Sequence, residues 1–189
     1  YDKRNQKFQT SEGFLSSYAI DLPIISDTYT LINSYRYKYF TELYENNISS
    51  FSFLLKSAHS LKDKDIKLSQ RILIPASSLR GFEYGRVGPK DGDDFIGGNY
   101  MSSVNFTTTL PQLFANSQNT DFVIFFDAAN VWGVDYDSSL DKNDIRTSIG
   151  VGLDWFSPVG PMNFSLAQPL TKNSSDITEN FRFNLGTTF

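Results

Sequence analysis

Apolar and polar residues alternate with a period of two along most of this chain, the spacing that sends successive side chains to opposite faces of an extended strand. In the last ten residues Phe181, Phe183, Leu185, Thr187 and Phe189 share one face, while Arg182, Asn184, Gly186 and Thr188 share the other. A soluble strand with its apolar side in a core shows the same alternation, so one segment does not place itself in a membrane. Repetition shifts the balance. Phe14, Tyr18, Ile20, Leu22 and Ile24 oppose Ser17, Ala19 and Asp21; Leu31, Tyr35, Tyr37 and Tyr39 oppose Ser34, Arg36 and Lys38; Phe51, Phe53 and Leu55 oppose Ser50, Ser52 and Lys56. After a long gap, Tyr100, Val104, Phe106 and Leu110 oppose Ser103, Asn105, Thr107 and Thr109. Phe122 to Trp132 is apolar on both faces apart from Asp127 and Asn130. The strictest run sets Ile145, Thr147, Ile149, Val151, Leu153 and Trp155 against Arg146, Ser148, Gly150, Gly152 and Asp154. Met162, Phe164 and Leu166 then alternate with Asn163, Ser165 and Ala167.

With the terminal strand these make eight segments of about 9 to 13 residues, which fits tilted strands crossing a bilayer and exceeds the usual length in soluble sheets. The connections alternate in character. Residues 43 to 48, 111 to 120 and 157 to 161 are compact, whereas 61 to 97, 133 to 144 and 170 to 179 are longer and rich in Asp, Lys, Ser and Gly. The link near Ser26 and Asp27 reads as short and departs from that rule. Short turns on one rim and long polar loops on the other predict an all-β fold, an antiparallel transmembrane β-barrel. A soluble antiparallel barrel or sandwich is the competing architecture. The Gly, Ser, Thr and Asn opposite the aromatic face suit a water-filled or loop-filled lumen better than a packed interior.

Composition narrows the chemistry. Aromatic residues make up 15% of the 189 positions, and no apolar run reaches the roughly 18 to 20 residues of a membrane helix, so any crossing is made by strands. The net charge of -4 and the scattered Lys and Arg offer no basic stripe, so nucleic acid is not an expected partner. With no cysteine and His59 as the single histidine, the residues carry no metal-ligand spacing. Asp91-Gly-Asp-Asp94 lacks the ordered spacing of a calcium loop. Gly150-Val-Gly152 lacks the third glycine and helix of a dinucleotide fingerprint, and reads as strand without bulk on its lumen face. No residues suggest an enzyme or a cofactor. The opening run Tyr1-Asp-Lys-Arg-Asn-Gln-Lys-Phe8 is already patterned, as expected of a piece of a longer protein.

The connection 61 to 97 has a length that calls for a function. It contains Leu79-Arg80-Gly81-Phe82, then Val87-Gly-Pro-Lys90 and Ile96-Gly-Gly-Asn99. In order follow Phe125-Phe-Asp-Ala-Ala-Asn-Val-Trp132, Gly150-Val-Gly-Leu-Asp-Trp-Phe-Ser-Pro-Val-Gly-Pro161, Ala167-Gln-Pro169 and a terminal Phe. This series resembles the carboxy-terminal half of the barrel in the BamA family of outer-membrane protein assembly factors, over nearly the whole chain. Tyr1 to Phe8 with Glu12-Gly13 is similar to the strand-turn-strand that precedes that half.

The resemblance implies that residues 1 to 189 are the last eight strands of a sixteen-stranded barrel, with POTRA domains and eight strands upstream. Eight strands closed on themselves would leave little room for so long a loop, which agrees with a wider barrel. The resemblance also implies that the loop tucks into the lumen, where Arg80 contacts carboxylates and backbone. Asp127 is the candidate partner; a second family carboxylate is replaced here by Thr107. It implies a lateral seam at the terminal strand, formed by Phe181, Phe183, Leu185, Gly186 and Phe189, with Gly186 matching a kink glycine. The implied function is insertion of β-barrel proteins into the bacterial outer membrane. The implied partners are unfolded outer-membrane protein clients, outer-membrane lipids and lipopolysaccharide, and accessory lipoproteins. A transporter of partner polypeptides or autotransporters, of the TamA or two-partner secretion kind, and a passive pore are the competing readings.

Overall fold

A single antiparallel sheet of eight long strands dominates the computed structural model of the chain, which describes residues 1–7, 10–23, 29–44, 47–110, 119–141, 143–157 and 160–185. In chain order the strands are β1 (Gly13–Asp21), β2 (Thr30–Tyr44), β3 (Asn47–Ser60), β4 (Gly81–Phe82), β5 (Lys90–Asp91), β6 (Asp94–Phe95), β7 (Tyr100–Thr109), β8 (Thr120–Trp132), β9 (Arg146–Ser157), β10 (Gly160–Thr171), β11 (Thr178–Glu179) and β12 (Phe181–Leu185). The wall runs β1-β2-β3-β7-β8-β9-β10-β12, while β4 pairs with β11 and β5 with β6. Each of the eight alternating segments contributes one wall strand.

Among the described residues β1 and β12 do not pair with each other, so the wall is an open sheet with two edges. The opening residues lie along β1: Lys3 donates its backbone N–H to Phe14 at 2.8 Å, Ser16 donates to Tyr1 at 2.9 Å, and Asn5 donates to Glu12 at 3.0 Å. Because neighbouring strands run antiparallel, the connections 45–46, 110–119 and 158–159 share one rim, and 22–29, 61–99, 133–145 and 172–180 share the other. The link that the sequence places near Ser26 and Asp27 lies outside the described residues. β1 ends at Asp21, and Leu22 and Pro23 lie past the strand. β2 and β3, of 15 and 14 residues, exceed the expected length because their ladder continues from Thr30–Ser60 to Tyr44–Asn47.

The two faces differ as the alternation requires. Tyr18, Ile20, Tyr39, Phe51, Phe106, Ile124, Phe126, Ile149, Val151, Trp155, Leu166, Phe181 and Phe183 all stand exposed. A continuous apolar surface of this kind is unfavourable in water and favourable against lipid tails. Near the long-loop rim Trp132 stacks on Tyr100 at 5.9 Å between ring centroids, and His59 meets Tyr100 edge-on at 5.6 Å. Amphipathic rings gather at this height in membrane proteins.

The inner face is filled by the central loop and is drier than the sequence suggested. Leu54, Ala58, Met101, Ala129 and Val131 of the wall pack against Ile66, Ile72, Ile74, Leu79, Phe82 and Val87 of the loop. A long connection must bury apolar surface somewhere to hold one conformation, and it does so on the inward side chains of β3, β7 and β8. That explains why β8 is apolar on both faces: Phe126 points outward while Phe125, 1% exposed, points inward.

Candidate functional site at the seated central loop

The motif Leu79-Arg80-Gly81-Phe82 sits against the inner wall, anchored by burial at both ends, with Leu79 2% and Phe82 1% exposed. A turn precedes it, closed by the Ser78 backbone N–H donating to Pro75 at 2.9 Å. β4 then pairs with β11, Gly81 opposite Glu179 and Phe82 opposite Thr178, and Glu83 continues the contact by donating to Ile177 at 2.9 Å. Gly81 has φ of +89°, and a Cβ there would lie 3.1 Å from the Ala167 Cβ and 3.4 Å from the Ser148 Cβ. The motif therefore approaches β9 and β10 more closely than a larger residue allows.

Arg80 is held from several sides. Its Nε donates to Asp127 Oδ2 at 2.8 Å, its Nη2 to Asp127 Oδ1 at 2.7 Å, and its backbone N–H to Oδ2 at 3.0 Å. Nη2 also donates to Thr107 Oγ1 at 3.3 Å, so a hydroxyl stands where the family resemblance expects a second carboxylate. Asn105 Nδ2 donates to Asp127 Oδ1 at 2.8 Å and to the Ser78 carbonyl at 2.9 Å. The Asp127 carboxylate is fully shielded, and a buried charge of this kind is tolerated only with such a set of donors.

Under the guanidinium lies the Phe125 ring, 3.4 Å from the Arg80 Cζ to its centroid. Room for that ring comes from the facing strand, where a Cβ on Gly150 would fall 2.4 Å from the Phe125 Cζ and 2.3 Å from the Leu166 carbonyl oxygen. Cation–π attraction and the bidentate ion pair thus fix one rotamer of Arg80.

Three further arginines, which the sequence reading did not single out as site residues, hold the loops, two of them from the wall and Arg71 from one loop to another. Arg146 of β9 and Asp176, both fully buried, pair at 2.9 Å. Arg182 of β12 donates to the Ala76 carbonyl at 2.7 Å and to Glu179 Oε2 at 2.7 Å. Arg71 pairs with Asp135, which also accepts from the Ile66 backbone N–H at 2.7 Å. Each strand arginine falls on the Gly- and Ser-rich face, and a lone guanidinium turned inward needs acceptors; that was the available signal. In the acidic loop, Asp91 accepts from the Tyr136 hydroxyl at 2.8 Å and Asp93 lies 3.6 Å from Lys90 Nζ, inside the β5–β6 hairpin.

The seam residues lie apart from this cluster. Phe181, Phe183 and Leu185 point outward, and the Phe183 ring lies 4.9 Å from that of Phe164 on β10. Gly186 and Phe189 lie outside the described residues.

The Omp85 superfamily domain matches residues 1–189. The chain is 34% identical over 140 residues to the outer membrane protein assembly factor BamA of Neisseria meningitidis serogroup B, a stretch covering 59% of this chain and 18% of that protein. It is 33% identical over 154 residues to a SAM50-like protein of Schizosaccharomyces pombe, covering 74% of this chain and 31% of that protein. Its fold is similar to the crystal structure of BamA from Haemophilus ducreyi lacking POTRA domains 1–3, with a TM-score of 0.86 and 26% identity over 97% of this chain and 40% of that one. The chain therefore spans well under half the length of these relatives.

Proposed function

We propose, from the premise that this chain belongs to the Omp85 superfamily, that it is the carboxy-terminal wall of a bacterial outer-membrane barrel that inserts and assembles other β-barrel proteins. The observation that carries this reading is the two-faced wall itself, with Phe181, Phe183 and Leu185 of β12 turned outward and the loop motif seated on the inner face through Arg80 and Asp127. In a closed transmembrane barrel every backbone group finds a partner, so a new strand enters only where one ladder gives way. The ladder proposed to give way is the one on the far side of β12, the last described strand of the wall. The edge of β12 would then template a client strand by β-augmentation, with outward Phe181, Phe183 and Leu185 meeting lipid and client together. The seated loop keeps the inner face dry and the wall in register while the edge works. The chemistry required is folding and insertion, with no covalent step.

The partners that follow are unfolded outer-membrane protein clients, lipids and lipopolysaccharide around the outward aromatic face, and accessory lipoproteins acting with upstream POTRA domains. A photoreactive residue placed at Phe183 or Leu185 of the full-length protein, reconstituted in liposomes, should cross-link to the terminal strand of a client during assembly. Cross-links confined to mid-wall positions such as Tyr39, or conductance with no client assembly, would overturn the reading and favour a passive pore.

A further inference from the structure

The terminal strand is held to the wall by more than its ladder. Arg182 lies opposite Ser165 of β10, a small residue that leaves its side chain free to run inward, and it is only 8% exposed. Nη1 donates to the Ala76 carbonyl at 2.7 Å and Nη2 to the Phe82 carbonyl at 2.5 Å, while Nε and Nη2 reach Glu179 Oε2 at 3.0 and 2.7 Å. Ala76 and Phe82 bracket the Leu79–Phe82 motif, so one guanidinium grips the motif segment at both ends. The same segment is bound to β8 through Arg80 and Asp127 and to β7 through Asn105. A continuous path of charged hydrogen bonds therefore runs from the middle of the wall, through the loop, to the strand that would open. It stops at Arg182: Phe183 and Leu185 point outward, and the Asn184 side chain makes no hydrogen bond to any described residue.

Resting on the proposed seam function, we infer that Arg182 is a positioning residue that sets the hinge of the terminal strand. While the loop is seated, the strand stays on the wall up to Arg182 and parts only beyond it; unseating the loop frees the strand before Arg182 as well. A guanidinium suits the task because its planar fork reaches two carbonyls at once, which a single ammonium does not.

The test is amide hydrogen exchange on the full-length protein in lipid nanodiscs, comparing wild type with Arg182→Lys, Arg182→Ala and Arg80→Ala. In the wild type, residues 183–185 should exchange faster than 178–182. Arg182→Ala should raise exchange by about tenfold or more in 178–182 and in loop residues 76–82 together, with Arg182→Lys giving a smaller rise in both. By reciprocity, Arg80→Ala, which does not touch the strand, should raise exchange in 178–182. Should neither substitution move the other's segment, or should 178–182 and 183–185 exchange alike in the wild type, the hinge is overturned. Arg182→Lys keeps the charge and serves if the alanine variant does not fold. The readout needs no client, so failure of client assembly would count against the proposed function while leaving the hinge standing.

Discussion

Arg146 and Asp176 face each other with both side chains completely shielded from solvent, Nε to Oδ2 at 2.9 Å and Nη2 to Oδ1 at 3.2 Å. The same carboxylate accepts from the backbone N–H groups of Gly88 at 3.3 Å and Asn173 at 2.7 Å. One buried aspartate thus joins β9, the central loop and the connection before β12. Removing one member strands the other's charge away from water. We expect Arg146→Met to lower the stability of the folded barrel by about 3–5 kcal/mol, measured by urea unfolding in lipid vesicles. Combining it with Asp176→Leu should cost much less than the sum of the single changes. Strict additivity would show that the two side chains do not act as a pair.

The Arg80 clasp predicts a local effect. Arg80→Ala leaves the Asp127 carboxylate buried without its principal donor and empties the space over Phe125. The loop should lift, and a protease added to the reconstituted protein should cut within residues 77 to 90 where the wild type resists. Arg80→Lys should not restore resistance, because an ammonium supplies neither the bidentate geometry nor the stacked plane. An unchanged cleavage pattern in both variants would contradict this.

Gly81 meets two demands at once, a positive φ and close approach to Ala167 and Ser148. Gly81→Val should therefore cost about 1–3 kcal/mol in local stability and expose the motif to the same protease. Gly92 also has positive φ but no atom within 4 Å of a Cβ, so Gly92→Val should leave the motif protected. Equal cleavage at the motif in the two variants would mean that contact with β9 and β10 does not seat it.

The rim contact at Asp135 carries a pH dependence. Partial burial raises the pKa of this carboxyl, but the Ile66 backbone N–H and the Arg71 guanidinium more than offset that and hold it below its ordinary value of 3.8. A group depressed in the folded state contributes stability above its unfolded pKa, and that contribution is lost as pH falls through the lowered value. Exchange protection of residues 64 to 72 should hold at neutral pH and weaken in acid below about 3.8. Asp135→Asn should weaken it at neutral pH and flatten the acid limb. Identical acid profiles for the two proteins would exclude Asp135 as the titrating group.

The outer face makes a prediction of its own. Val151 is 51% exposed and sits on the outward row between Ile124 and Leu166. If that row crosses the bilayer midplane, Val151→Arg should destabilise folding into vesicles by about 2–4 kcal/mol. A cost near zero would place this face in water.

Much of the architecture follows from local pattern. In β9 the strict alternation of Ile149, Val151 and Leu153 with Ser148, Gly150 and Gly152 assigns both faces, because a strand's side-chain period is set by the backbone alone. The same parity turns Asp127 inward and Phe126 outward, whereas the meeting of Arg80 with that carboxylate is implied only by the family resemblance of the loop motif. What parity leaves open is height and company. Arg182 and Arg146 both read simply as inward arginines, yet one grips the Ala76 and Phe82 carbonyls and the other is buried on Asp176. Those partners lie tens of residues away in sequence, and they meet only because strand register and the path of the loop bring them to one place. The same is true of Leu54, Met101 and Val131, which become core only where the loop covers them. Alternation is a property of each strand by itself, whereas the interior is decided by which strands are neighbours and what lies across them.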